Sequence, residues 1–83
     1  MMPFAAIGRQ PSLDATQPDI ETMCAWDLES EVAVCRYYQD YHKAEAKAIG
    51  KLNPSVHTHE AYGWYRRRIR VQELLERKVG VSA

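Results

Sequence analysis

Cysteine is scarce in this chain: Cys24 and Cys35 are the only two among 83 residues. They stand eleven positions apart in a segment read below as one helix, so both thiols share a face but lie about 16 Å apart along the axis. A disulfide needs Cα atoms within about 7 Å. An intrachain bridge is therefore excluded on that reading, and both thiols are expected to be reduced core residues of a cytoplasmic protein. Long apolar runs are lacking too. No stretch approaches the ~20 apolar residues of a membrane-spanning helix, and Met1–Arg9 has neither the basic start nor the apolar length of a signal peptide. Secretion by that route and membrane insertion are not expected.

Catalytic signatures are missing as well. The chain has no G-x-S-x-G, no phosphate loop, no glycine-rich dinucleotide fingerprint and no Cys/His pair at contact spacing. Carboxylates spread around the first helix (Glu21, Asp27, Glu29, Glu31, Asp40) without pairing, and two helices wall a poor cavity. No enzyme and no cofactor are expected. His57 and His59 stand two positions apart, which on a helix aims them at different faces, whereas zinc helices use spacings of three or four. Cys35 and His42 share a stripe but lie about 10 Å apart, too far for a common ion. No metal site is expected.

Net charge is zero, with 11 basic and 11 acidic residues. The distribution is polar nonetheless: Met1–His42 carries a balance of −5 and Lys43–Ala83 one of +5. Antiparallel helices would neutralise each other, so this asymmetry reads first as self-complementarity and second as a basic surface.

What is present is helix. Three of the four prolines (Pro3, Pro11, Pro18) fall in residues 1–18, which read as an irregular N-terminal arm, either disordered or pinned by Phe4 and Ile7. Residues 19–83 read as an all-α helical hairpin domain. Asp19 caps a first helix from about residue 20 to 49, strengthened by the Lys43–Ala48 tract of strong helix formers. Gly50 supplies its stop. Asn53-Pro54 opens a second helix from about residue 54 to 79, with Gly80 ending it. Gly63 costs about 1 kcal/mol inside that helix, which leaves room for a break or for a start near Thr58. A connection of about four residues makes the helices antiparallel neighbours.

At about 100° per residue, the first helix aligns Ile20, Cys24, Leu28, Cys35, Tyr38, His42, Ala46 and Ile49, with Val32 beside them. The second aligns His57, Ala61, Trp64, Val71, Leu75 and Val79. Folding about the loop pairs Ala46 and Ile49 with His57, Tyr38 with Trp64, Val32 with Val71, Leu28 with Leu75, and Cys24 with Val79. Glu31 and Arg68 interrupt the two stripes within about one turn of each other. They form either a seam ion pair that sets register or two side chains reaching out to solvent.

A second apolar face is left over. Trp26, Tyr37 and Tyr41 on the first helix, with Ala33, Ala44 and Ala48 between them, point away from the seam, as do Tyr62, Tyr65 and Ile69 on the second. Soluble monomers rarely expose such a patch. It is covered by the arm, by a partner, or by a second copy, and a four-helix homodimer is the simplest closed solution. The basic run Arg66–Arg70 disperses on a helix, leaving Arg66, Arg70, Arg77 and His59 on the outer surface. The resulting expectation is a small interaction module that docks on another protein as inhibitor, adaptor or regulator, a size class common among phage and plasmid accessory proteins. The alternative is a nucleic-acid-binding regulator that uses those outer arginines.

Overall fold

A computed structural model describes residues 8–49 and 54–79. One 3-10 turn spans Ile20–Thr22, helix α1 spans Ala25–Ile49 and helix α2 spans Pro54–Lys78. The two helices pack along each other as the expected all-α hairpin. No helix among the described residues is long and apolar enough to cross a membrane. The expected helix signals at Gly50, Asn53 and Gly80, the Phe4 and Ile7 anchors and the Ile49 side chain lie outside the described residues.

The seam holds two apolar clusters. Midway along the hairpin, Val34, Cys35, Tyr38 and Trp64 are buried together. The Tyr38 and Trp64 rings meet at 5.0 Å, as the loop length and helix period require. Toward the end away from the loop, Ile20, Leu28, Val71 and Leu74 form the second cluster, with Val32 and Leu75 packed against it. Each such aliphatic side chain contributes about 1.5–3 kcal/mol through burial.

Four expectations are corrected. The first helix begins at Ala25 rather than near residue 20, because the chain straightens at Met23, where φ is −78° and ψ 143°. Asp19 still caps, but it caps the 3-10 turn, accepting from the Glu21 backbone N–H at 3.0 Å. The kink lets Ile20 reach Leu28 and Leu74. Cys24 is consequently exposed outside α1, and Val79 is exposed as well, so the last expected pair does not form. His57 meets His42, one turn short of the expected Ala46, with ring centroids 5.3 Å apart. Finally, Val34 and Leu74 belong to the core, although neither lies on the expected stripe. A third layer covers them.

That layer is the arm. Leu13 packs on the cluster of Val34, Cys35, Tyr38 and Trp64. The arm is folded on itself by Gln17, whose Nε2 donates to the Gln10 and Ser12 carbonyls, both at 2.8 Å. The Pro11 carbonyl accepts from Trp64 Nε1 and His42 Nε2, each at 2.8 Å. A carbonyl only accepts, so His42 Nε2 carries a proton. The Nδ1 atoms of His42 and His57 share a hydrogen bond across 3.0 Å. Leu13 N–H donates to Glu60 at 3.0 Å, and Tyr38 O–H donates to the Arg9 carbonyl at 3.1 Å. Backbone groups of an irregular segment thus find side-chain partners on both helices, as burial demands.

Gly63 finds its explanation here. α2 runs through it unbroken. A Cβ at this position would stand 3.3 Å from Leu13 Cδ2, so the bare backbone admits the arm.

The two thiols diverge in chemistry. Burial, reinforced by the negative charge of Glu31, pushes the Cys35 thiol up to about 12. Cys24 lies at the surface. A maleimide at neutral pH is expected to label the native chain once, at Cys24, and Cys24→Ser should abolish labelling. Stoichiometric labelling of Cys35 in the folded protein, read by peptide mass, would contradict this packing.

Candidate functional site

Glu31 lies at the junction of arm, α1 and α2, with its side chain 1% exposed. It does not pair with Arg68. Its Oε1 accepts from Arg9 Nη2 at 2.6 Å, and its Oε2 accepts from Arg67 Nε at 2.8 Å. Arg67 also donates to the Pro18 carbonyl at 2.6 Å, and Arg9 to Gln17 at 3.1 Å. The expected seam pair is therefore displaced by one residue on α2. The arm supplies a second guanidinium from the same side as Arg67, and Arg68 falls on the opposite side. There it lies half-buried over the Tyr65 ring at 5.5 Å, with its buried Nε unpartnered among the described residues. Burial alone would raise the Glu31 pKa, but the hydrogen bonds and charges of Arg9 and Arg67 outweigh it and hold the carboxyl below the usual range. The role of this network is structural, since Arg9 and Arg67 occupy both carboxylate oxygens.

Among the described residues, the side of the hairpin opposite the arm is open. A groove of about 590 Å³ runs between the C-terminal half of α1 and the N-terminal half of α2. Its floor is small, with Ala46 and Ala61; its walls are Lys43 and Lys47 on α1 and Thr58, Tyr62 and Tyr65 on α2. Tyr62 and Tyr65 stack with centroids 6.2 Å apart and are shared with an adjoining hollow formed with Arg66, Ile69 and Arg70. Tyr62 is 57% exposed, and Arg66 lies over its ring at 5.9 Å. No carboxylate lines the groove itself, and Glu73 lines the hollow.

No family model matches this chain, and no curated protein or solved structure is similar to it. Function rests on the surfaces themselves.

The structure separates the expected site residues into three groups. Tyr62, Tyr65 and Ile69 gather beside the groove, with Arg66 and Arg70. Trp26, Tyr37 and Tyr41 lie along the outer face of α1; Trp26 and Tyr41 are exposed, and Tyr37 is half-buried against Tyr38 at 5.0 Å. The basic surface is less free than its sequence implies. Arg70 is bound to Glu21 at 3.0 Å and to Glu73 at 3.4 Å, while Arg66, Arg77 and His59 are exposed. Lys43 and Lys47 are site residues that sequence reasoning missed. Both were read only as helix formers, yet their spacing of four on one edge of the seam was the available signal.

Proposed function

We propose that this chain is a small non-catalytic interaction module that acts in the cytoplasm, docking on a larger protein as its inhibitor, adaptor or regulator. One observation carries the reading. The arm closes one side of the hairpin with satisfied hydrogen bonds, whereas the other side keeps an aromatic groove edged by lysines. Exposed tyrosines on a rigid helix provide large contact area at little entropic cost, as interface centres do. Lys43 and Lys47 suit a partner segment that carries carboxylates beside apolar side chains. The free thiols, one of them buried, suit a reducing compartment.

Nucleic-acid binding through the outer arginines has less to support it, because Arg70 is neutralised by Glu21 and Glu73, and Arg67 is spent on Glu31. Capture from host extract tests the two readings together. The wild-type chain is expected to retain a protein after nuclease digestion, and Lys43→Glu with Tyr62→Ala should lower that retention about tenfold or more. Undiminished capture by the variant, or loss of the partner on nuclease treatment, would overturn the proposal.

A further inference from the structure

The outer face of α1 is an exposed surface that neither the described residues of the arm nor the groove explains. Trp26 is 77% exposed, and Ala33, Tyr41, Ala44 and Ala48 are exposed with it. At about 100° per residue, all of these lie within about 40° of the direction of Tyr37, forming a straight stripe down the helix. Tyr37 stands twelve residues from either end of Ala25–Ile49, at the midpoint of α1.

The stripe is complementary to its own reverse. Counted outward from Tyr37, Trp26 lies eleven residues before and Ala48 eleven after. Ala33 lies four before and Tyr41 four after; Ser30 lies seven before and Ala44 seven after. Trp26 and Tyr41 therefore each have a small side chain at the mirrored position, and Tyr37, half-buried against its own core, faces its mate on the axis. A second α1 laid antiparallel, with its Tyr37 against this one, sets Trp26 over Ala48 and Tyr41 over Ala33 along the whole contact. A parallel copy would stack Trp26 on Trp26 and Ala44 on Ala44, leaving clashes and voids. The small residues permit the axial separation of about 8–10 Å at which helices interlock.

Charge complementarity points the same way. Antiparallel two-fold packing brings the same flank of each helix together. On the groove side of the stripe that flank carries Glu29, Arg36, Asp40 and Lys47, in that order. Reversal about Tyr37 places Glu29 beside Lys47 of the second copy and Arg36 beside its Asp40. The two-fold axis makes this four opposite-sign contacts. The arm-side flank brings Asp27 toward Glu45, two like-sign contacts that are outnumbered. The opposed helix dipoles add further attraction.

We propose that the outer face of α1 is a two-fold antiparallel interface with a second copy of this chain, centred on Tyr37. The proposal goes beyond partner docking; Lys47 borders both the groove and this flank, whereas Lys43 and Tyr62 lie off the stripe, so their variants report on docking alone. The axis keeps both grooves on one side of a four-helix layer and both arms on the other. A dimer so built offers two docking grooves to one partner surface, which raises avidity where their spacing matches.

Charge reversal with rescue tests the interface, using Cys24→Ser as background. Light scattering at micromolar concentration is expected to give twice the chain mass. Glu29→Lys alone should weaken the dimer about tenfold by exchanging attraction for repulsion at two symmetric sites, and adding Lys47→Glu should restore it. Both positions are exposed, so a helical spectrum confirms that each variant folds. Tyr37→Cys on the axis should oxidise to a covalent dimer, since its Cα meets its own mate within disulfide range. Trp26→Cys should not. A monomeric mass for the folded wild-type chain, a dimer indifferent to Glu29→Lys, or self-crosslinking at Trp26→Cys in place of Tyr37→Cys would each overturn the proposal.

Discussion

Glu31→Gln is expected to destabilise the fold by about 3 kcal/mol and to loosen the arm from the hairpin. The carboxylate accepts from Arg9 on both oxygens and from Arg67 on Oε2, while its side chain is 1% exposed. An amide has nearly the same shape but one acceptor oxygen, and it carries no charge. One guanidinium loses its acceptor and both lose the counter-charge. Removing one member of a buried ion pair costs about 3–5 kcal/mol. The lower end applies because Arg9 and Arg67 keep 16% and 14% side-chain exposure and can turn toward water.

The same residue has an acid signature with a definite sign. The folded-state carboxyl titrates below its ordinary value of 4.5: burial opposes this shift, but Arg9 and Arg67 together outweigh it. Its stabilisation is therefore fully present above about pH 4.5 and is lost as pH falls through the depressed folded value. Urea unfolding at pH 7 and near pH 3 should show the gap between wild type and Glu31→Gln closing in acid. A gap unchanged at both pH values would contradict the network.

Trp64→Ala is expected to cost about 3–5 kcal/mol, the range for aromatic truncation in a core. A domain of this size holds about 5–10 kcal/mol in total, so the loss removes a large fraction of its stability. Trp64 is fully buried, stacks on Tyr38 at 5.0 Å, and ties the Pro11 carbonyl through its indole N–H at 2.8 Å. It belongs to hairpin and arm at once. Trp64→Phe separates the two roles, keeping an aromatic ring and removing the donor. It should cost only about 1–2 kcal/mol, because His42 still donates to the same carbonyl. Chemical denaturation followed by circular dichroism measures both variants. Equal losses for Ala and Phe would mean that the arm bond, rather than packing, dominates at this site.

The sequence by itself determined the hairpin. A four-residue connection between two segments of 3.6-residue period leaves antiparallel packing as the one geometry that buries both stripes. Hence the Tyr38–Trp64 contact and the buried Cys35 were legible before any coordinates. The exposed aromatics were legible too, because Trp26 and Tyr62 lie off the seam whichever way the helices roll.

Only the tertiary structure decided what the arm does. Arg9, Pro11 and Leu13 belong to a proline-broken stretch without periodicity, and the bonds they make span 22 to 53 positions of sequence. Hydrophobic period reports which face of a helix is covered, but it is silent on an irregular strap whose anchors are backbone carbonyls. For the same reason Glu31 looked like half of a seam pair with Arg68. A third layer carrying its own arginine moved the acid's partners to the arm side, buried Val34, and left the groove of Lys43, Lys47, Tyr62 and Tyr65 as the open side.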